Sequence, residues 1–209
     1  MACAAVVAGA VRARAELTAA QLAARVDHHY NSLRSLEVHF VQHYDGIGMH
    51  RKESGVLLLR RPGRMRWTYT DPDGKLFILD GRDGYFYSPG QSEAQKVSEK
   101  KLDDLRSPLR FLLGHTDLEK ELSGLTMTPE SNGEFVLAGV PKGMEQRVSA
   151  LKLTVTVDGI IRQMTIQETD GVTNSFDFSG EQGNVPAPAS AFAFVPPPGV
   201  HVVEGAPPV

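Results

Sequence analysis

The sequence predicts a mainly β fold with a smaller helical share: an incomplete antiparallel β-barrel of about ten to eleven strands, with a hydrophobic cavity covered by two or three short helices. Three observations predict it. From Leu36 onward, apolar and polar residues alternate with period two through most of the chain. Turn pairs such as Pro62-Gly63, Asp73-Gly74, Asp158-Gly159 and Asp170-Gly171 recur between the alternating runs. No repeat, linker or low-complexity stretch divides the 209 residues, and 41% of them are hydrophobic, enough for one sizeable core. So many consecutive strands must manage their edges by closing or nearly closing. About eight strands fill their own interior, whereas ten or eleven leave an apolar cavity unless helices plug it.

The first element after the N-terminal region is a helix. ELTAAQLAARVDHHYNSL offers Thr18 as N-cap and Gln21 to complete a capping box, with Leu22, Val26, Tyr30 and Leu33 on one face. At Leu36 the period changes, and Leu36, Val38 and Phe40 alternate with Glu37, His39 and Val41. Residues 54–60 and 64–70 make the next pair of strands, the second with Met65, Trp67 and Tyr69 on one face and Arg66, Thr68 and Thr70 on the other. Asp71-Pro72-Asp73-Gly74 is turn chemistry, residues 75–79 are a strand, and Asp80-Gly81 and Asp83-Gly84 bracket a turn before the strand that opens at Tyr85.

SPLRFLLG interrupts the alternation. Ser107 is suited to the N-cap, Pro108 to the first helical position, and Leu109, Phe111, Leu112 and Leu113 form an apolar cluster ending at Gly114. A second short helix is expected over 117–122, after which strands return at 125–128, 134–138, 150–157, 160–168 and 173–179. The closing FAFVPPPGVHVVEGAPPV supplies one more alternating segment and a proline-rich tail that need not be ordered.

The N-terminus reads MACAAVVAGAVRARAELTAAQ. Its apolar run from Ala2 to Val11 is too short to span a bilayer but suits the apolar region of a signal peptide, although no positive segment precedes it. Ala13-Arg14-Ala15 supplies the small residues a signal peptidase needs, so residues 1–15 are expected to be a leader and 16–209 a single domain. The alternative is an Ala-rich tail. Cys3 is the only cysteine, so no intramolecular disulfide can form. Twenty-two Lys and Arg stand against 25 Asp and Glu, a formal charge of −3, which gives no chain-wide reason to expect nucleic acid.

A search for chemistry yields no catalytic, cofactor or metal expectation. There is no G-x-S-x-G elbow and no spare cysteine for a Cys/His pair. Gly46-Ile47-Gly48 lacks the third glycine of a dinucleotide fingerprint. His39 and His43 read as solvated strand residues, and His28 and His29 as cations at a helix end. Asp71, Asp73, Asp80 and Asp83 each belong to a turn.

One local feature needs a reason. Arg60, Arg61, Arg64 and Arg66 crowd the Pro62-Gly63 turn in a slightly acidic chain. On pattern alone each reads first as a solubilising rim charge and second as a rigid donor to carbonyl oxygens at a helix C-terminus or loop. Val56 to Leu59 are apolar on both faces, so the strand has the core on one side and something else, such as a helix, on the other.

The ordered set Phe40-x-Gln42, the run 55–59, Arg61-Pro62, Arg66-Trp67-x-Tyr69, Pro72, Asp80-Gly81, Tyr87-x-Pro89, Phe111-Leu112-Leu113, Phe192-x-Phe194-x-Pro196-Pro197 and Gly199-Val200 resembles the periplasmic outer-membrane lipoprotein carriers, the LolA family. The resemblance implies a half-open barrel with a helical lid and a cavity for the acyl chains of lipoproteins. It implies as partners an inner-membrane lipoprotein-releasing ABC transporter and an outer-membrane acceptor, with periplasmic localisation after export through a cleaved signal peptide. The chain is expected to act as a monomer, with no enzymatic activity and no cofactor. Arg61 would be the lid latch. Leu57, Leu59, Trp67, Tyr69, Phe77 and Leu112 would line or cover the acyl-chain cavity, and Arg64 and Met65 would lie on the partner-facing rim. The alternatives are a lipid- or lipoprotein-sensing module and the lipid-anchored outer-membrane acceptor of the same fold. A lipidated Cys3 would mark the acceptor.

Overall fold

The computed structural model describes residues 17–46, 48–98 and 116–205. Helix α1 (Ala19–Asn31) starts where the capping box places it: Gln21 N donates to Thr18 Oγ1, and Thr18 N donates to Gln21 Oε1. Its buried face is Leu22, Ala23, Val26 and Tyr30, the spacing read from the sequence.

The strands follow as β1 (Ser35–Gly46), β2 (Met49–Arg60), β3 (Arg64–Asp71), β4 (Asp73–Leu79), β5 (Asp83–Tyr87) and β6 (Glu93–Ser98). A one-turn helix, α2 (Leu118–Glu121), is capped by Asp117 and precedes β7 (Leu122–Pro129), β8 (Phe135–Pro141), β9 (Val148–Val155), β10 (Ile161–Glu168) and β11 (Thr173–Gly183). A 3-10 turn (Ala189–Phe192) and β12 (His201–Glu204) complete the described chain. The segment 107–114, expected as an apolar helix, lies outside the described residues.

All twelve strands form one sheet in the order β12-β6-β5-β4-β3-β2-β1-β11-β10-β9-β8-β7. Neighbours are antiparallel except β12 on β6, which is parallel. The sheet stays open, with β12 and β7 at its edges, so the closure is incomplete as expected while the strand number is higher. The extra strands are β6, whose polar EAQKVS hides the alternation, and β12, which lies within the proline-rich tail.

The sheet curls around one core. Leu36, Val38 and Phe40 of β1, Leu57 and Leu59 of β2, and Met65, Trp67 and Tyr69 of β3 share a cluster with Leu137, Leu151, Leu153, Met164 and Phe176 from the other half of the sheet and with α1. Register explains the concave face: Val38 pairs with Leu57, Leu57 with Trp67, Trp67 with Phe77 and Phe77 with Phe86, so these side chains form one row across five strands. Two glycines permit close approaches. A Cβ on Gly55 would stand 2.1 Å from Thr68 O and 2.9 Å from the Phe40 ring. Gly159, at φ +88°, sits against the α1 backbone, where a Cβ would come within 2.5 Å of the Arg25 carbonyl carbon.

The C-terminal residues depart from the expected loose tail. Residues 185–205 strap the convex face, because Phe192 is buried, Phe194 stacks on Tyr85 at 5.2 Å, and β12 extends the β6 edge. Convex-face Ile78 and Ala94 are buried although they lie outside the core cluster.

Candidate functional site

The arginines of the cluster each find their own acceptors, Arg66 Nε bonding within its strand to Thr68 Oγ1 at 3.0 Å. Arg60 Nη1 donates to Ala187 O at 2.9 Å and Arg66 Nη1 to Ala191 O at 3.1 Å, so both pin the C-terminal strap to the outside of the sheet. Arg64 Nε donates to Asp80 O at 2.9 Å, joining the β2–β3 and β4–β5 turns. Arg61 Nη1 donates to Asn31 Oδ1 at 3.1 Å. A planar guanidinium with several fixed donors suits these carbonyl acceptors where an ammonium would fit less well.

Arg61 is the one directed at a helix C-terminus. Asn31 is the last residue of α1, and its amide also holds Thr116, which resumes the described chain after residue 98. Thr116 N and Oγ1 donate to Asn31 Oδ1 at 2.9 and 3.1 Å, and Asn31 Nδ2 donates to Thr116 O at 2.9 Å. The network therefore joins the β2–β3 hairpin, the end of α1 and the chain entering α2. Arg61 is half-buried, and burial lowers its pKa from the usual arginine value. A hollow of about 10 Å³ beside it, lined in part by Tyr30, Leu36 and Leu59, is room for one water at most.

A second set of contacts holds the opposite side of α1. His29 Nε2 and Tyr30 Oη reach the two oxygens of Glu181 at 2.6 and 2.9 Å, and Ile161 N donates to Tyr30 Oη at 3.0 Å. Burial first, and the Glu181 charge second, raise the Tyr30 pKa above the usual phenol value.

The concave face has an apolar and a polar end. Near α1, Leu57, Leu59 and Trp67 are at most 3% exposed, and Phe40 meets Trp67 edge-on at 4.6 Å. Phe77 and Phe86, in the same row on β4 and β5, are half-buried and stack at 4.5 Å. Towards the β1–β2 hairpin, Tyr69 Oη donates to Gln42 Oε1, and Gln42 Nε2 donates to Asn174 Oδ1. Burial, then the nearby Glu53 charge, raises the Tyr69 pKa.

Comparison with known proteins falls on this same stretch of chain. The family described as outer membrane lipoprotein carrier protein LolA matches residues 31–195, from Asn31 of the network to the strap. The chain belongs to the LolA family. An outer-membrane lipoprotein carrier protein of Nitrosospira multiformis is 35% identical over 153 residues, 72% of each chain. One from Chromobacterium violaceum is 30% identical over 204 residues, 97% of this chain and 95% of the relative. Among solved structures, MucB has a TM-score of 0.52 at 17% identity, covering 85% of this chain and 62% of its own. A DUF1329 family protein from Desulfovibrio piger has a TM-score of 0.51 at 15% identity, covering 84% and 95%. At such identities the likeness is one of fold.

Within this LolA-family chain, five of the six residues expected to line or cover the cavity, Leu57, Leu59, Trp67, Tyr69 and Phe77, come together on the concave face. Leu112 lies outside the described residues. Met65 corrects the expected rim: it is 1% exposed and accepts from Trp67 Nε1 at 2.8 Å, because alternation puts it on the same inward face as Trp67 and Tyr69. Arg64 sits at the turn, half-buried. On the face that Leu58 shares with Arg60 and Arg66, the sheet carries the strap with its 3-10 turn, held by the bonds from those two arginines. Among the described residues no group of three or more His, Cys, Asp or Glu could hold a metal ion. Sequence reasoning missed Asn31 and Thr116. A polar residue in a last helical turn is unremarkable, and only tertiary contact across 85 positions gives it a partner.

Proposed function

We propose that this chain is a periplasmic carrier that takes up acylated lipoproteins released from the inner membrane and delivers them to an outer-membrane acceptor. Residues 1–15 serve as a cleaved leader and 16–209 as the carrier domain, acting as a monomer. Acyl chains occupy the concave face along the row that ends in Phe77 and Phe86, with Leu57, Leu59, Trp67 and Tyr69 behind it and Leu112 in the cover. Loading energy comes from an inner-membrane ABC transporter, and release runs to an acceptor with a better-fitting site.

The observation that carries this reading is the hydrogen-bonded junction of Arg61, Asn31 and Thr116. It ties the sheet rim to α1 and to the chain that follows the expected lid, so it can hold a cover shut over an apolar wall. The magnitudes suit a reversible device. Each buried methylene contributes about 0.8 kcal/mol, so a sixteen-carbon chain gains on the order of 10 kcal/mol by leaving water. A hydrogen bond to a charged group contributes about 1.5–3 kcal/mol, so a junction of a few bonds yields to cargo yet closes over an empty face.

The test is a release assay. Protein beginning at Glu16 is added with ATP to vesicles containing the transporter and a labelled triacylated lipoprotein. A soluble one-to-one complex that passes its cargo to acceptor vesicles is expected; cargo that stays in the membrane beside a working transporter refutes the carrier role.

A further inference from the structure

The polar end of the concave face contains a charged pair that the carrier reading does not use. Lys75 Nζ and a Glu53 carboxylate oxygen are bonded there, with side chains only 26% and 13% exposed. Both belong to the inward-facing set. Glu53 lies two residues beyond Gly55 on β2 and pairs across from Gln42, and Lys75 lies two before Phe77 on β4. The ammonium sits 4.4 Å from the centre of the Tyr69 ring.

Drawing two charges out of water is costly, and an apolar pair of similar volume would serve stability at least as well. Apolar residues there would simply extend the row formed by Leu57, Trp67 and Phe77. Lys75 also keeps donor capacity. An ammonium has three N–H donors, and Glu53 and the ring face engage it on two sides. Phe77, two residues further along the same face of β4, forms with Phe86 the half-buried stack, a stretch of wall that a hydrocarbon chain can cover.

We propose that Lys75, held by Glu53 and Tyr69, is a binding residue for the polar linkage of the cargo, donating to the ester carbonyl oxygens that join acyl chains to the glyceryl-cysteine head. This rests on the carrier reading and deepens it: the hydrocarbon lies along Phe77 and Phe86, and the head stops at Lys75. The pair sets how far the chains slide in, because passing it would bury an ester against a charge already satisfied by Glu53. It also separates a diacylglyceryl ligand from bare hydrocarbon, which offers Lys75 no acceptor.

The test compares two affinities in the mature protein. One probe is a synthetic peptide with an N-terminal dipalmitoylglyceryl-cysteine; the other is a pyrene-labelled alkane with no polar linkage. Lys75→Met should weaken the peptide relative to the alkane by about tenfold, the loss of one charge-assisted hydrogen bond. The double variant Lys75→Met/Glu53→Gln leaves no uncompensated charge and should show the same ratio, which guards against misfolding of the single variant. Equal changes for both probes, or no change in either, would assign the pair a purely structural part and overturn the proposal. A loss confined to free palmitate, run as a third arm, would overturn the ester assignment in favour of a carboxylate site. Wild-type protein that binds neither probe refutes the carrier reading itself, whereas binding of both with an unaltered ratio refutes only the role of Lys75.

Discussion

If the Arg61 junction holds the empty protein closed, removing it should make the carrier keep its cargo. Arg61→Leu deletes the 3.1 Å bond to Asn31 Oδ1. Bonds to charged groups contribute about 1.5–3 kcal/mol, and the guanidinium is only half-buried, so the lower end of about 1.5 kcal/mol applies. Closure and cargo compete for the same face, so weakening one strengthens the other by an equal free energy, about tenfold in affinity. Titration with a fluorescent fatty acid reads that shift, and delivery to acceptor vesicles should slow in step. Asn31→Ala removes the common acceptor, with Thr116 also affected, and should act in the same direction and more strongly. The double variant should bind no more tightly than Asn31→Ala alone, giving a coupling energy of about 1.5 kcal/mol in the cycle. Additive single effects, or faster release from Arg61→Leu, would refute the reasoning.

Phe192→Ala should cost about 3–5 kcal/mol, read from the urea midpoint, because a fully buried ring is removed from beneath the strap. Thr18→Ala breaks the capping box of α1 and should cost about 1 kcal/mol in the same measurement. The raised pKa values of Tyr30 and Tyr69 predict the alkaline behaviour: both phenols stay protonated in the folded chain after the unfolded chain begins to ionise near pH 10, so their contribution is complete below about pH 10 and declines above it. Stability followed by circular dichroism should show that decline in the wild type and a shallower one in Tyr30→Phe/Tyr69→Phe.

The helix and most strands were legible because their signals are local. Thr18 and Gln21 mark the start of α1 within four residues, and the alternation of Met65, Trp67 and Tyr69 sets the inward face of β3 before any partner is known. The same alternation withdraws Met65 from the rim, where the family resemblance places it with the loop that follows Arg61. The arginine cluster was visible as a cluster, but not the acceptors. Ala187 and Ala191 are more than a hundred positions away, and main-chain carbonyls leave no trace in side-chain composition. The strap was illegible for a related reason: the alternation of Phe192 and Phe194 reads as a strand, whereas Phe192 closes a 3-10 turn and the prolines around them read as loose chain. Lys75 and Glu53 look like ordinary strand-end charges until register turns both inward.

The strap also constrains the order in which the molecule can be completed. Strands β1 to β6 pair with sequence neighbours and can assemble as the chain emerges, but β1 meets β11 only after more than a hundred further residues. Until residues 185–205 arrive, the N-terminal half would present Ile78 and Ala94 on its convex side and an unpaired β6 edge. Such long-range closure slows folding and lengthens the life of aggregation-prone species. A part of the chain made late thus seals a part made early, and a truncation that spares every residue of the concave wall would still leave a sticky, half-finished sheet.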